Sequence, residues 1–257
     1  MNSPWTRDGK VRAEVIQVSP QISGRIEEIS VQDNQFVHKG DLIFSIDSSD
    51  YLIAKNQAQA ELEQANFELK QAINILSRDK TLTKKGFISK EQITDEQLQV
   101  KLQTAVIEQK KANLDSANLN LKRVNIYAPE DGFITNLNQR VGNYINAGSS
   151  FVGLIEKETF YVIGYFTESK VDNIHLGDAA VITPFSGSNK YQGQVVSISS
   201  GIADQSSDQT GLLQNVQPTI PWVRLGQRIP VRIELSPETI TSNTLVAGST
   251  VSVQVTN

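Results

Sequence analysis

The chain has 257 residues, a formal net charge of −4 and no cysteine. The acidic balance lacks the basic footprint of nucleic-acid-binding proteins, and the absence of cysteine excludes disulfides, thiol chemistry and cysteine–zinc sites. No run of about 18 apolar residues, the minimum for a membrane-spanning helix, occurs in the sequence. His38 and His175 lie far apart and do not share a metal-ligand spacing, so we interpret them as surface or turn residues and predict no metal site.

The first regular structure expected along the chain is β. Residues 13–47 predict short strands and turns, which follow an N-terminal segment at residues 1–12. This β region contains the stretch SGRIEEISVQDNQFVHKGDLIFSID, in which apolar and polar residues alternate and glycines mark the turns.

Residues 48–123 form the second region and have a helical composition, with much Ala, Gln, Leu, Lys and Glu and no proline. In its first half, apolar residues recur at alternating steps of four and three, as in a coiled coil: Ala58, Leu62, Ala65, Leu69, Ala72 and Leu76. In its second half, one apolar line recurs every seven residues: Ile93, Val100, Ile107, Leu114 and Leu121. We expect a second line beside it, made of Leu98, Ala105, Ala112 and Leu119.

The stretch RDKTLTKKGFISKEQ, residues 78–92, divides this region into two helices. Gly86 is its only glycine, and Ser89 with Gln92 fits a capping box, in which each side chain bonds to the backbone of the other residue. The second helix is therefore predicted to begin near residue 90. Each helix would have about 35 residues and a length of roughly 50 Å, and the equal lengths predict an antiparallel hairpin.

The β pattern resumes at residues 124–157 and repeats the one that precedes the helices. When Gly24 is aligned with Gly132, Gly40 falls on Gly148 without a gap, and the apolar residues between them also coincide. Two similar halves separated by the hairpin predict one small sandwich, with its paired glycines as turn residues of positive φ.

Residues 158–257 read as a small antiparallel barrel. In WVRLGQRIPVRIEL the apolar residues Val223, Leu225, Ile229, Val231, Ile233 and Leu235 alternate with Arg224, Arg228, Arg232 and Glu234. Because Pro230 cannot donate to a ladder, we expect an edge strand or a bulge. The arginine stripe is either a solvated strand face or a contact for lipid headgroups or a pump. The polar run ADQSSDQTGLLQN predicts a long loop.

The motif VSPQISGRIEEISVQDNQFVHKGDLIFSID resembles the first half of a lipoyl or biotinyl carrier domain. A carrier-like domain that is split by a helical hairpin and followed by a β-barrel resembles the HlyD-type periplasmic adaptors, or membrane fusion proteins. The stretch NVQPTIPWVRLGQRIPVRIEL is similar to the adaptors of aromatic-acid and fusaric-acid-type exporters and of major-facilitator multidrug efflux pumps.

This resemblance implies a non-enzymatic adaptor of a tripartite efflux pump, which joins an inner-membrane transporter to a TolC-type outer-membrane channel. It implies self-association into a ring, with a hexamer as the expected number. It also implies a periplasmic location, with about 20 apolar residues upstream of WTRDGKVRAEV in the full-length protein as an inner-membrane anchor.

The same resemblance places the channel contact at the hairpin tip. Adaptors that engage TolC-type channels have an Arg, a Leu four residues later and a Ser seven residues after that, which here are Arg78, Leu82 and Ser89. Other interpretations stay open, because Ser89 can act as a helix cap, Leu82 can end the apolar seam and Arg78 can be a solvated residue.

Three other functions compete with an efflux adaptor. A lipoyl or biotinyl carrier domain would need a lysine in the turn IDSSDY, residues 46–51, but none is present, so we predict no cofactor. A type I protein-secretion adaptor shares the resemblance, whereas a free-standing coiled-coil scaffold would not explain the split repeat. We find no catalytic motif and interpret Asp47 and Asp50 as helix-start residues.

Overall fold

A computed structural model describes residues 3–84, 86–185, 187, 189–201, 227–236 and 245–256. The helices are α1 (Ser49–Thr83), α2 (Lys90–Lys122) and α3 (Glu168–Val171). The strands are β1 (Trp5–Arg12), β2 (Val15–Val18), β3 (Gly24–Ile29), β4 (Phe36–Val37), β5 (Leu42–Ile46), β6 (Asn125–Tyr127), β7 (Gly132–Thr135), β8 (Tyr144–Ile145), β9 (Val152–Glu156), β10 (Tyr161–Thr167), β11 (Ala179–Pro184), β12 (Tyr191–Ile198), β13 (Arg228–Leu235) and β14 (Thr250–Thr256). None of the helices in these ranges combines the length and the apolar character that a membrane crossing requires.

The two β halves form one sandwich of two four-stranded sheets, with strand orders β2-β9-β7-β4 and β6-β5-β3-β8. Each sheet mixes strands from both sides of the hairpin, and Gly24 of β3 lies opposite Ile145 of β8. The gap-free alignment matches β2, β3, β4 and β5 with β6, β7, β8 and β9, in that order. The two strands of each matched pair lie in different sheets, so the repeat relates one sheet to the other. Between them, the rings of Phe44 and Phe151 stack with centroids 3.7 Å apart. The predicted split lipoyl-like sandwich is confirmed.

Hydrogen bonds repeat the same internal symmetry. The backbone N–H of Ile26 donates to the carbonyl of Asn143 at 2.8 Å, and the aligned Ile134 donates to the carbonyl of Gln35, aligned with Asn143, at 2.9 Å. Neither half alone supplies both partners of these bonds. Each half therefore completes its backbone hydrogen bonding only when the other is in place.

The paired glycines have two different roles. Gly40 and Gly148 have φ of 91° and 79°, so they are turn residues as predicted. Gly24 and Gly132 open strands, and a Cβ atom added there would lie 2.4 Å and 2.3 Å from its nearest neighbour. The prediction that all paired glycines need a positive φ is wrong for this second pair, where close packing leaves no room for a side chain: the nearest atom is a side-chain carbon of Ile46 at Gly24 and the backbone oxygen of Ile155 at Gly132.

The hairpin consists of α1 with 35 residues and α2 with 33. The apolar seam predicted on α1 is confirmed, because Ala65 is buried and the other five members are half-buried. On α2 the line repeating every seven residues is also half-buried. The second predicted line is wrong, since all four of its members are exposed: Leu98, Ala105, Ala112 and Leu119.

Polar residues occupy the inner positions of α2 that the second apolar line was expected to fill. Glu96, Gln103 and Lys110 recur every seven residues and are half-buried against α1. The Lys110 ammonium forms a 2.9 Å salt bridge with Glu61 of α1. This hydrogen bond is the largest cause that lowers the pKa of Glu61. A polar residue in a helix–helix seam fixes register at some cost in stability, so the Lys110–Glu61 pair favours one alignment of the two helices.

The C-terminal strands close into a barrel with the order β1-β10-β13-β12-β11-β14. Strand β13 lies between β10 and β12, so the prediction that it is an edge strand is wrong, because closure of a barrel leaves no edge. An irregularity does occur beside it, where the register with β12 shifts between Val195 and Ser197. Pro230 lies opposite Tyr165, and Val231, Ile233 and Leu235 are buried as expected. Val223, Arg224, Leu225 and the predicted loop ADQSSDQTGLLQN lie outside the described residues.

Residues 5–12, which the sequence left as a terminal segment, form β1 and complete the barrel between β14 and β10. Contacts divide the chain into two compact units: residues 1–16, 130–133 and 154–257, and residues 17–129 and 134–153. The first unit contains the barrel and the second the hairpin and most of the sandwich. The domain boundaries given above remain a prediction.

Candidate docking site at the hairpin tip

The chain reverses at the hairpin tip through a glycine-dependent helix ending. Gly86 has φ of 79°, its N–H donates to the carbonyl of Thr83 at 3.0 Å, and the N–H of Phe87 donates to that of Leu82 at 3.2 Å. These two bonds form the Schellman motif, which satisfies carbonyls at the end of α1. Gly86 therefore ends α1, as the sequence predicted.

Ser89 begins α2. Its hydroxyl accepts a hydrogen bond from the N–H of Gln92 at 3.2 Å, which confirms the predicted cap. The reciprocal half of the capping box is absent, because the Gln92 side chain instead donates to Glu96 at 3.5 Å. Ser89 thus has a structural role of its own, and its side chain is also exposed.

Arg78 and Leu82 lie four residues apart on α1 and so share a face of that helix. The Arg78 side chain is 70% exposed, and its Nε donates to the neighbouring Asp79 carboxylate at 3.0 Å. The bond to Asp79 uses one of the five guanidinium donors. Leu82 is half-buried. The structure brings the three predicted residues to the same end of the hairpin, and their contact with a channel remains a prediction.

Sequence reasoning missed two features of this tip. The first is Phe87, which follows Gly86 and is 76% exposed, so it offers a large apolar surface at the turn. The second is Asp79, whose side chain is only 7% exposed although aspartate is rarely buried without partners. The heptad spacing from Ala72 to Asp79 could have revealed the latter, because it places Asp79 in the apolar seam.

The carboxyl groups of Asp79 on α1 and Glu96 on α2 interact across the two helices. The hydrogen bond from Arg78 is the largest cause that lowers the pKa of Asp79, and the bond with Glu96 adds to it. Burial is the largest cause that raises the pKa of Glu96, followed by the hydrogen bond and repulsion from Asp79. Glu96 is therefore the member of the pair that keeps its proton to higher pH.

The stability of the hairpin should depend on pH through this pair. The folded pKa of Glu96 lies above its ordinary 4.5, so the stabilisation is complete below that pH and is lost as pH rises through the raised value. Asp79 has the opposite sign, with a folded pKa below 3.8, so its contribution is lost as pH falls below 3.8. Together these shifts predict a maximum of stability in mildly acidic solution.

Glu96→Gln replaces the carboxyl group, whose pKa is raised, by an amide of the same shape that does not titrate. We expect this variant to melt at a higher temperature than the wild type at about pH 8 and to lose that advantage near pH 4, as measured by circular dichroism of the helices. Glu108→Gln, on the exposed side of α2, is the matched control and should not change the pH profile. Equal pH profiles for Glu96→Gln and the wild type would contradict the raised pKa of Glu96.

Substitutions at Ser89 separate its capping role from channel contact. Ser89→Ala should destabilise α2 by about 1 kcal/mol, because the Gln92 N–H loses its acceptor, whereas Ser89→Asp preserves a cap. Amide hydrogen exchange in the first turn of α2 measures this difference. If Ser89→Asp keeps the protection of that turn but binds channel less well than the wild type, Ser89 also contacts the channel; unchanged binding assigns it to capping alone.

The helix that follows β5 begins in the place where a carrier domain would present its modified lysine. The carboxylate of Asp47 accepts hydrogen bonds from the hydroxyl and the N–H of Ser49 at 2.6 and 3.0 Å. With a further bond from Arg25, these interactions lower the pKa of Asp47 to about 2. Asp47 thus helps to start α1, as predicted, and Asp50 lies in the first turn.

The two histidines belong to similar turns rather than to a joint site. The N–H of His38 donates to the carboxylate of Asp41 at 2.8 Å, and the N–H of His175 donates to that of Asp178 at 2.7 Å. In both turns a glycine of positive φ precedes the aspartate. The described part of the chain holds no group of three or more His, Cys, Asp and Glu side chains that could bind a metal.

Comparison with known proteins assigns the family. Residues 14–156 match the family model described as "RND MFP, barrel-sandwich hybrid domain", a match that spans more than half of the chain. The chain belongs to the membrane fusion protein family. Residues 159–256 match a second family model, the "AAEA-like beta-barrel domain". The resemblance found in the sequence is confirmed, and members of this family are adaptor proteins that are generally not enzymes.

Relatives and solved structures agree with this assignment. The chain is 43% identical over 258 residues to YdhJ of Escherichia coli (strain K12), a match that covers 99% of this chain and 89% of that protein. MacA from Actinobacillus actinomycetemcomitans is 18% identical, with a TM-score of 0.72 over 99% of this chain and 79% of that chain. The periplasmic adaptor EmrA is 16% identical, with a TM-score of 0.55 over 98% and 97%. At these identities the two structures show a common fold alone, which is the fold of periplasmic adaptors.

Proposed function

We propose that this protein is the periplasmic adaptor subunit of a tripartite efflux pump. In this proposal the hairpin tip contacts a TolC-type outer-membrane channel, and an inner-membrane transporter supplies the exported compound. The observation that carries the proposal is a hairpin of 35- and 33-residue helices. At its tip the side chains of Arg78 and Phe87 are exposed. A helix of this length spans about 50 Å, which suits a bridge between two partners.

The chemistry of the tip suits helical partners. The Arg78 guanidinium keeps donors in a planar fork that can bond to carbonyls at helix ends, and Leu82 and Phe87 supply apolar surface. Arginine and large apolar side chains are frequent centres of binding energy at protein interfaces. A carrier function is disfavoured because the turn before α1 has no lysine and is occupied by the start of that helix.

The location and assembly of the protein follow from the same proposal. We expect it in the periplasm, anchored to the inner membrane in the full-length protein, and assembled with further copies as a ring, with a hexamer as the expected number. EmrA, a structural relative, is itself described as a periplasmic adaptor protein, which supports this location.

Crosslinking in intact cells tests the proposal. The full-length protein is crosslinked, purified under denaturing conditions, and its partners are identified by mass spectrometry. We expect an inner-membrane transporter and an outer-membrane channel among the products. A transporter of the ATP-driven protein-exporting class would assign type I secretion instead, and absence of any outer-membrane channel would refute the bridging role.

A further inference from the structure

The barrel carries an aromatic and cationic cleft at one end. Strand β1 begins at this end with Trp5, and β13 begins there with Arg228, while Arg12 and Tyr161 pair at the opposite end. The cleft has a volume of about 280 Å³. The residues that line it include Trp5, Arg7, Asp8, Lys170 and Arg228.

Trp5 is the centre of this cleft. Its side chain is 49% exposed, and two cations lie over its ring, the Lys170 Nζ at 4.8 Å and the Arg7 Cζ at 5.7 Å from the centroid. The Lys170 ammonium also donates to the Trp5 carbonyl at 2.7 Å. Both cations therefore lie within the range of cation–π attraction to a half-exposed indole.

The charges of the cleft are not balanced. Arg228 forms a salt bridge with Asp8, so these two largely neutralise each other. Among the described carboxylates, none forms a salt bridge with Arg7 or Lys170. Glu168 and Asp172, which flank Lys170 in and after α3, are exposed. Arg7 and Lys170 therefore keep hydrogen-bond donors for an anion.

We infer that this cleft binds the phosphate groups of an anionic lipid bilayer surface. Tryptophan prefers the membrane–water interface, where its ring meets both the acyl boundary and the headgroups. Lysine and arginine beside it extend their charged ends to phosphates while their stems remain on apolar surface. The open end of the barrel would thus rest on the membrane through Trp5, Arg7 and Lys170. The inference goes beyond the proposed bridging function and does not depend on the hairpin tip.

Vesicle binding tests the inference on the chain itself. We expect the protein to sediment with vesicles of equimolar phosphatidylglycerol and phosphatidylcholine, but not with vesicles of phosphatidylcholine alone. In a Trp222→Phe background Trp5 is the only tryptophan, and its fluorescence should shift to shorter wavelength with the anionic vesicles. An unshifted spectrum would overturn the inference even if some protein sedimented.

Charge reversal identifies the site. Arg7→Glu with Lys170→Glu should weaken vesicle binding roughly thirtyfold or more, because each basic residue adds to the attraction of an anionic surface. Lys101→Glu with Lys111→Glu changes the net charge equally on exposed positions of α2 and is the matched control. If the two pairs of substitutions weakened vesicle binding equally, the effect would come from net charge alone, and the proposed site would be overturned. If the Glu pair fails to fold, Arg7→Gln with Lys170→Gln takes its place, and unchanged binding of a folded variant also overturns the inference.

Discussion

Replacing Leu82 with Glu, or Arg78 with Asp, is expected to weaken capture of the outer-membrane channel roughly 10- to 30-fold, the effect of losing one strong interface residue. Glu at position 82 would bring an unpaired charge into an apolar contact. Asp at position 78 would replace a donor by an acceptor that helix-end carbonyls cannot bond. The measurement is the amount of channel that co-purifies with each variant after crosslinking.

Two control variants separate docking from general effects of charge. Lys80→Asp changes the net charge as Arg78→Asp does, at an exposed position of the same helix. Leu102→Glu places a carboxylate at a 57% exposed leucine along α2. Both controls should retain the channel. If either control loses as much channel as the tip variant it is matched with, the contact does not lie at Arg78 and Leu82. Circular dichroism must also show that all four variants are equally helical.

Gly132→Ala is expected to lower the free energy of unfolding by about 1–3 kcal/mol, the usual cost of overpacking. The added Cβ would lie 2.3 Å from the carbonyl oxygen of Ile155, a backbone atom that cannot move without disturbing its strand. At the aligned Gly24 the nearest atom is Cγ2 of Ile46 at 2.4 Å. Because this atom belongs to a side chain, Gly24→Ala should cost the same or less.

Gly187→Ala is the control, since a Cβ there meets nothing within 4 Å and should change stability by less than about 0.5 kcal/mol. Urea denaturation of the three variants gives the comparison. If Gly132→Ala left the free energy of unfolding unchanged, β7 and β9 would not approach as closely as described. That result would also contradict the internal symmetry of the sandwich.

The sandwich and the hairpin could be predicted because their signals are local and repeated. The gap-free match of Gly24 with Gly132 indicates that two equivalent halves exist, and two equivalent β halves can only bury their apolar faces on each other. At the tip, Gly86 and Ser89 act through backbone geometry that depends on residue type, so the helix ends follow from the sequence.

The inner face of α2 could not be predicted from apolar periodicity. Glu96, Gln103 and Lys110 occupy alternate seam positions. A search for apolar periodicity misses these polar residues and selects the line that begins at Leu98 instead. Asp79 and Glu61, which interact with Glu96 and Lys110, come from α1 and become apparent only when the two helices are paired.

Closure of the barrel likewise depends on distant residues. Strand β1 has a register shift between Thr6 and Gly9 in its pairing with β14, so its sequence does not alternate as a regular strand does. Pro230 then suggested an edge for β13, but β10 and β12 cover both sides of that strand. The Trp5 cleft was missed for the same reason, since Arg7, Lys170 and Arg228 converge only when the ends of β1 and β13 meet α3.

Photo-crosslinking from single positions of the hairpin tests the docking of the tip most directly. A photoreactive residue in place of Leu82 at the tip is compared in intact cells with one in place of Phe67, which is 69% exposed along α1. We predict an adduct with an outer-membrane channel from position 82 and none from position 67. Channel adducts from position 67 alone, or none from position 82 in cells that contain the assembled pump, would contradict the account.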